Sequence, residues 1–157
     1  WPPFAQALLF LLMLIGGCSG STAGGIKVIR WVILRKQALN EMQRLLHPHG
    51  VFSIQLNARP GRKDVVYSVA GFIFVYCVCV LITFLAASLC GADIFTGLTA
   101  GLTLVGNIGA SFGMVGCGGD FSFFPHWAKI LFSFSMLAGR LELYTIVILC
   151  IPAFWRR

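Results

Sequence analysis

Ten consecutive residues, Gly16-Gly17-Cys18-Ser19-Gly20-Ser21-Thr22-Ala23-Gly24-Gly25, interrupt what would otherwise be one hydrophobic helix. They follow an uncharged apolar run of twelve, residues 4–15, and precede the first positive charges, Lys27 and Arg30. Twelve helical residues rise only ~18 Å, against a bilayer hydrocarbon core of ~30 Å. The run crosses a membrane only if the decade is part of the crossing. Five glycines and the hydroxyls of Ser19, Ser21 and Thr22 make poor helix, so an unwound backbone at membrane depth is expected. Lipid offers such a backbone no hydrogen-bond partners, so the segment must be buried in protein or line a watery cavity. A helix broken in this way points to an ion or solute path.

Composition agrees with a membrane setting. The 157 residues are 58% hydrophobic and 11% charged, with mean hydropathy +0.87, too apolar for a soluble globular domain. A net charge of +7 suggests nucleic acid in a soluble protein. Here eight of the twelve Lys and Arg lie between Lys27 and Lys63, and two more are Arg156 and Arg157. That is the distribution of the positive-inside rule, so the expected partner is the lipid bilayer and no nucleic acid. The six cysteines, at 18, 77, 79, 90, 117 and 150, lie mostly in apolar segments without C-x2-C spacing. They are expected as small buried hydrophobes rather than disulfides or metal ligands. No basic region precedes the first apolar run, which therefore does not read as a signal peptide. The chain is expected to be the C-terminal part of a longer protein.

Read in order, Trp1-Pro2-Pro3 is an interfacial anchor and helix start. Residues 26–46 resume helical patterning with Lys27, Arg30, Arg35, Lys36 and Arg44, as suits a helix descending to an anionic inner surface. Residues 47–64 are polar, with Pro48, Gly50, Pro60 and Gly61, and read as a cytoplasmic loop whose His47 and His49 are plain loop residues. Residues 65–90 are 26 positions without charge and span the bilayer outward. A second apolar run of twelve, 94–105, is again too short to cross, and no basic residue follows it before Lys129. Charge bias therefore favours a re-entrant half-helix that returns through a glycine-containing strand, followed by an external loop over 114–125. The last span, 126–155, carries Lys129, Arg140 and Glu142 and ends at Arg156-Arg157 on the inside. The midpoint of Trp127 and Trp155 puts Arg140 at mid-membrane, where a guanidinium costs at least ~2.5 to 3.5 kcal/mol. The spacing G-x2-G-x3-G occurs at Gly17/Gly20/Gly24 and at Gly106/Gly109/Gly113, but the flanks differ, so the blocks are expected in different places of a pore.

The string IGGCSGSTAGGIKVIR over 15–30, with Asn107-Ile108-Gly109 and Gly139-Arg140-Leu141-Glu142, resembles the Trk/Ktr/HKT family of potassium transporters, nearest the bacterial Trk type. The resemblance covers essentially the whole chain. It implies an all-α integral membrane fold of potassium-channel-like M1-P-M2 repeats, with a re-entrant pore helix and a broken M2 helix. By resemblance, residues 1–46 are the broken M2 of a third unit, 47–64 a cytoplasmic loop and 65–157 the fourth unit. That unit divides into M1 65–90, pore helix 94–106, filter 107–111 and M2 126–155. The filter strand is then Asn107, Ile108, Gly109, Ala110 and Ser111, departing at Ala110, where Trk relatives often carry Pro. Gly16 to Gly25 matches an intramembrane gate loop, and Arg140 an arginine facing the pore beside it. The resemblance implies K+ as the transported ion, held by filter backbone carbonyls alone, with no cofactor. A homodimer and a cytosolic nucleotide-binding regulatory ring of RCK type are also implied, with the basic 35–63 face as a candidate dock.

Elementary chemistry runs parallel to the resemblance. Dehydrated K+ needs oxygen ligands, which a strand of small or uncharged side chains supplies from its carbonyls, and Gly109 gives it backbone freedom. The alternative is that the glycines only let helices pack closely, as in Gly97-x3-Gly101. Gly17-Cys18-Ser19-Gly20 also fits the nucleophile signature of an intramembrane serine protease, which needs a histidine base within reach. His47, His49 and His126 are not placed to supply one, so no enzyme is expected. A phosphate loop fails because Ile26 separates Gly25 from Lys27. A non-transporting scaffold subunit is the remaining alternative.

Overall fold

The computed structural model describes residues 2–21, 23–47, 55–56, 59–60, 63–109, 111–116 and 118–141, together with positions 145, 148 and 155. The first helix, α1 (Pro3–Met13), opens with proline in its first turn, where the missing N–H has no helical partner to lose. The glycine-rich decade separates it from α2 (Val28–Leu46). The polar segment that the sequence presents as a plain loop contains a two-residue antiparallel ladder, β1 (Gln55–Leu56) on β2 (Arg59–Pro60). Next come α3 (Lys63–Leu89), α4 (Ile94–Gly106), a 3-10 turn over Gly113–Val115 and α5 (His126–Arg140). Among the described residues, α3 over Val65–Leu89 is the one helix long and apolar enough to cross a membrane.

The short helix α4 is the centre of the molecule. Ten of its thirteen residues are buried, and Val105 is fully so. A helix of ~20 Å with a buried surface on nearly every side is enclosed by protein rather than lipid. Small residues permit that enclosure. A Cβ on Gly101 would come 3.0 Å from the Val80 carbonyl of α3, so here the close-packing reading of Gly97 and Gly101 holds. The hydroxyls inside bond back along their own helices, Thr83 to the Cys79 carbonyl at 2.8 Å and Thr103 to that of Ala100 at 3.0 Å. No hydroxyl of this pair needs water.

Two apolar clusters flank α4. One joins Ile26, Phe72, Tyr76, Leu102, Val105 and Ala138, with Phe10 and Leu14 packed on it. The other joins Leu104 to Ala87, Val115, Phe124 and Phe132, with Phe124 edge-on to Phe132 at 5.1 Å between centroids. By contrast α1 has no buried residue, and Phe4 is 80% exposed. Cysteines depart from expectation. Cys18 and Cys77 are exposed and Cys79 and Cys90 half-buried; all four are free thiols, while Cys117 and Cys150 lie outside the described residues. The reason is that apolar stretches of a membrane chain turn outward as readily as inward, so apolar context does not imply burial.

Candidate functional site

The decade between α1 and α2 folds into a loop closed at its neck. The Gly16 N–H donates to the Ile26 carbonyl at 2.9 Å, and the Val28 N–H donates to the Gly17 carbonyl at 3.1 Å. The two helix ends are thus tied together at the neck of the loop. Within it the Ser21 N–H bonds the Cys18 carbonyl at 3.0 Å and the Ser21 hydroxyl accepts the Ala23 N–H at 3.2 Å. Cys18, Ser19 and Gly20 at the tip are exposed. Thr22 lies outside the described residues.

The loop's far limb is pressed against the end of α4. A Cβ on Gly24 would lie 2.9 Å from the Gly106 carbonyl oxygen and 3.0 Å from the Asn107 side-chain nitrogen, so only glycine lets the backbones approach this closely. The two glycine blocks, expected apart from their differing flanks, therefore meet. Sequence periodicity carries no record of that meeting, because it is made by the packing of α1, α4 and α5.

Asn107 is the joint. It takes the left-handed conformation, φ 54° and ψ 41°, in which the Asn107 N–H bonds the Leu104 carbonyl and the Ile108 N–H reaches the Thr103 carbonyl at 3.0 Å. This is the Schellman arrangement, with asparagine where glycine is usual. Its Nδ2 donates to the Met136 carbonyl of α5 at 2.8 Å. Asn107 thus ties three elements, whereas the sequence suggested only a backbone ligand. Beyond it Ile108 and Gly109 are exposed, with Gly109 at φ 95° and nothing within 4 Å of a Cβ there. Ala110 lies outside the described residues. Ser111 is buried, its hydroxyl donating to the Val115 carbonyl at 2.6 Å. The returning strand is then held to α4 by Thr99, which donates to the Phe112 carbonyl, and by Thr96, which accepts the Met114 N–H, both at 3.4 Å.

Under the loop lies a cavity of about 410 Å³, lined by Ser21, Ala23, Gly25, Lys27, Arg30, Phe72, Gly139 and Arg140. The loop and Arg140 therefore border one space. Arg140 is the last residue of α5, with Leu141 as the cap; beyond it only positions 145, 148 and 155 of the expected 126–155 helix are described. A helix carboxyl end favours a cation, which offsets part of the cost of placing one here. α5 reaches this position because Gly139 has no side chain, since a Cβ there would collide with the Val105 carbonyl of α4. Glu142 lies outside the described residues.

Lys27, Arg30 and Phe72 are cavity residues that the sequence reading assigned elsewhere, the cations to topology and Phe72 to an apolar span. Their signal was present in part: Lys27 is the N-cap of α2 and Arg30 lies in its first turn, close in sequence to the glycine-rich loop. Arg30 places its guanidinium carbon 3.7 Å from the Phe72 ring centroid, a cation–π stack. Among the described residues, neither His47 nor His126 lines the cavity, and His49 lies outside them.

The family model described as TrkH, cation transport protein, matches residues 1–157. The chain belongs to the TrkH family. The Trk system potassium uptake protein TrkH of Escherichia coli strain K12 is 38% identical over 156 residues, covering 99% of this chain and 32% of that protein. The Trk system potassium uptake protein TrkI of Halomonas elongata is 37% identical over 158 residues, covering 100% and 32%. The crystal structure of the potassium transporter TrkH from Vibrio parahaemolyticus superposes with a TM-score of 0.87 at 37% identity, covering 99% of this chain and 33% of that one. The chain spans about a third of the length of these relatives. This TrkH-family chain is an integral membrane protein with an all-α architecture, apart from the short β1–β2 ladder.

Proposed function

We propose that this chain is the C-terminal third of a protein that takes up K+ across the bacterial inner membrane. In this reading α3 is M1, α4 the pore helix, residues 107–111 the filter strand and α5 the start of M2 in one repeat. Helices α1 and α2 with the loop 16–25 are the broken M2 of the repeat before it. The carboxyl end of α4 carries a partial negative charge of ~0.5 e toward the strand, where K+ would exchange water for carbonyl oxygens. The loop and Arg140 are the gate.

The observation that carries the gate is the shared cavity, with Ser21, Ala23 and Gly25 on one wall and Arg140 on another. A K+ passing ~6 Å from one guanidinium meets ~3 kcal/mol of repulsion at an effective dielectric of ~20. That corresponds to about two decades in rate, an upper bound because water and salt screen it. The test is Rb+ flux in proteoliposomes carrying the full-length protein with Arg140→Ala. Severalfold faster flux is expected, and unchanged or lost flux from an intact assembly refutes the gate. The same reading includes a homodimer and a cytosolic nucleotide-binding regulatory ring of RCK type, supported by the exposed Arg35, Lys36 and Arg44 of α2. Anionic lipid is the second use for that face.

A further inference from the structure

The side chain of Asn107 is held in a way that a backbone ligand does not need. A Cβ on Gly24 of the loop and a Cβ on Gly139 of α5 would each stand 3.0 Å from the same atom, Asn107 Nδ2. Close-packed side chains do not approach so tightly, so the amide is clasped between two glycines of different elements. Gly139 immediately precedes Arg140, and Gly25, immediately after Gly24, lines the cavity that Arg140 also lines. The amide thus sits where the loop limb meets the last turn of α5. Its hydrogen bond enters that turn, Nδ2 donating to the Met136 carbonyl at 2.8 Å. In an α-helix this carbonyl is also the acceptor of the N–H four residues on, which here belongs to Arg140. The Leu141 N–H then closes on the Leu137 carbonyl at 3.0 Å, so Asn107 grips the turn that ends the helix. At its own end the arm is stiff, because the left-handed Asn107 is fixed on α4 by its N–H to the Leu104 carbonyl and by the Ile108 N–H to that of Thr103. Asparagine suits both tasks, since it tolerates this backbone region and carries a short donor; glycine does only the first.

We propose that Asn107 is a positioning residue of the gate: its amide fixes the Arg140 turn at a set distance from the loop, so a residue of the filter strand decides where the gate's cation stands. The effect on flux rests on the gate reading above; the placement rests on the clasp and the hydrogen bond alone. Repulsion between the guanidinium and a passing K+ falls with their separation, so a released turn means a weaker barrier. Removing the arm while keeping the bend leaves the aim of Ile108 and Gly109, and with it the choice of ion, as in the parent.

The test uses the full-length protein in proteoliposomes as parent, Asn107→Gly, Arg140→Ala and the double variant. Asn107→Gly is expected to raise Rb+ flux about threefold, the factor that one average interhelical hydrogen bond supplies, with the Rb+ over Na+ ratio unchanged. In the Arg140→Ala background it is expected to add nothing, because no guanidinium remains to be misplaced. With Arg140→Ala faster than the parent, no rise in Asn107→Gly, or an equal rise in both backgrounds, overturns the proposal. Hydrogen–deuterium exchange of residues 137–141, read by mass spectrometry without an ion gradient, is expected to quicken about threefold in Asn107→Gly. Unchanged exchange there overturns the proposal as well. Thr83→Val loses bonds to the Cys79 and Val80 carbonyls of its own helix and is expected to leave flux and this exchange as in the parent. A change in Thr83→Val like that of Asn107→Gly would assign both to general destabilisation and overturn the proposal. If Asn107→Gly does not assemble, Asn107→Asp, which keeps the turn and the arm but whose ionised carboxylate cannot donate, decides by exchange. If Arg140→Ala leaves flux unchanged, the gate reading fails and exchange alone decides the placement.

Discussion

Replacing Asn107 by glycine and by alanine separates the two tasks that the structure assigns to this residue. Both variants lose the 2.8 Å bond from Nδ2 to the Met136 carbonyl. Interhelical hydrogen bonds in membrane proteins average ~0.6 kcal/mol, so each variant should lose about that much. Only alanine is also strained at φ 54°. Alanine at a positive φ is less stable than glycine by more than ~0.4 to 1 kcal/mol, and the left-handed region costs an L-residue ~1 to 2 kcal/mol. The expected order of stability is parent, then Asn107→Gly, then Asn107→Ala, with the second step at least as large as the first. Thermal melting of the full-length protein in one detergent reads the order. Rb+ and Na+ uptake on the same samples should show Asn107→Gly closer to the parent, because it keeps the bend that aims Ile108 and Gly109. Asn107→Ala as stable as Asn107→Gly would refute the role of the left-handed turn. A Gly variant indistinguishable from the parent would remove the tie to α5.

Gly139→Ala should disrupt the α4–α5 contact, since its Cβ collides with the Val105 carbonyl, whereas Gly20→Ala meets nothing within 4 Å; size-exclusion profiles should show loss of the monodisperse protein for the first alone. Overpacking of this kind costs ~1 to 3 kcal/mol or more, because backbone rather than a flexible side chain must yield. Gly109→Ser, at φ 95° with open space around it, should leave protein in the membrane but weaken K+ over Na+ uptake; an unchanged ratio would remove residues 107–111 from the filter. The Ser122 hydroxyl and amide, with Lys129 nearby, hold the Asp120 carboxyl below the usual carboxylate range. A depressed pKa contributes stability above the unfolded value of ~3.9 that is lost as pH falls through the folded value. Melting curves of parent and Asp120→Asn should therefore differ at pH 6 and converge in strong acid, and a gap that persists there would refute the assignment.

Several structural features are legible in the chain because they are local. A twelve-residue apolar run is too short for a bilayer whatever surrounds it, and both such runs, 4–15 and 94–105, form helices that stop short, α1 at Met13 and α4 at Gly106. Glycine and hydroxyl content at 16–25 likewise decides that the segment between α1 and α2 is not helical, since the backbone cost is paid residue by residue. Arg140 stands out from sequence because an arginine inside an apolar stretch is expensive wherever it lands.

Tertiary packing decided what meets what. Gly24 touches Gly106 and Asn107 across more than eighty positions of sequence, and nothing in the spacing of either glycine block encodes that contact. Asn107 became a three-way tie, rather than a backbone ligand alone, only because Gly139 lets α5 approach and brings the Met136 carbonyl within reach. Lys27 and Arg30 read from sequence as inside-positive charges, and in the fold they also line a cavity with Arg140, one of them stacked on Phe72. Charge pattern is a one-dimensional property that reports which side of the bilayer a segment faces. Which cavity a charge enters depends on helix rotation and close approach, and those are set by contacts between residues far apart in the chain.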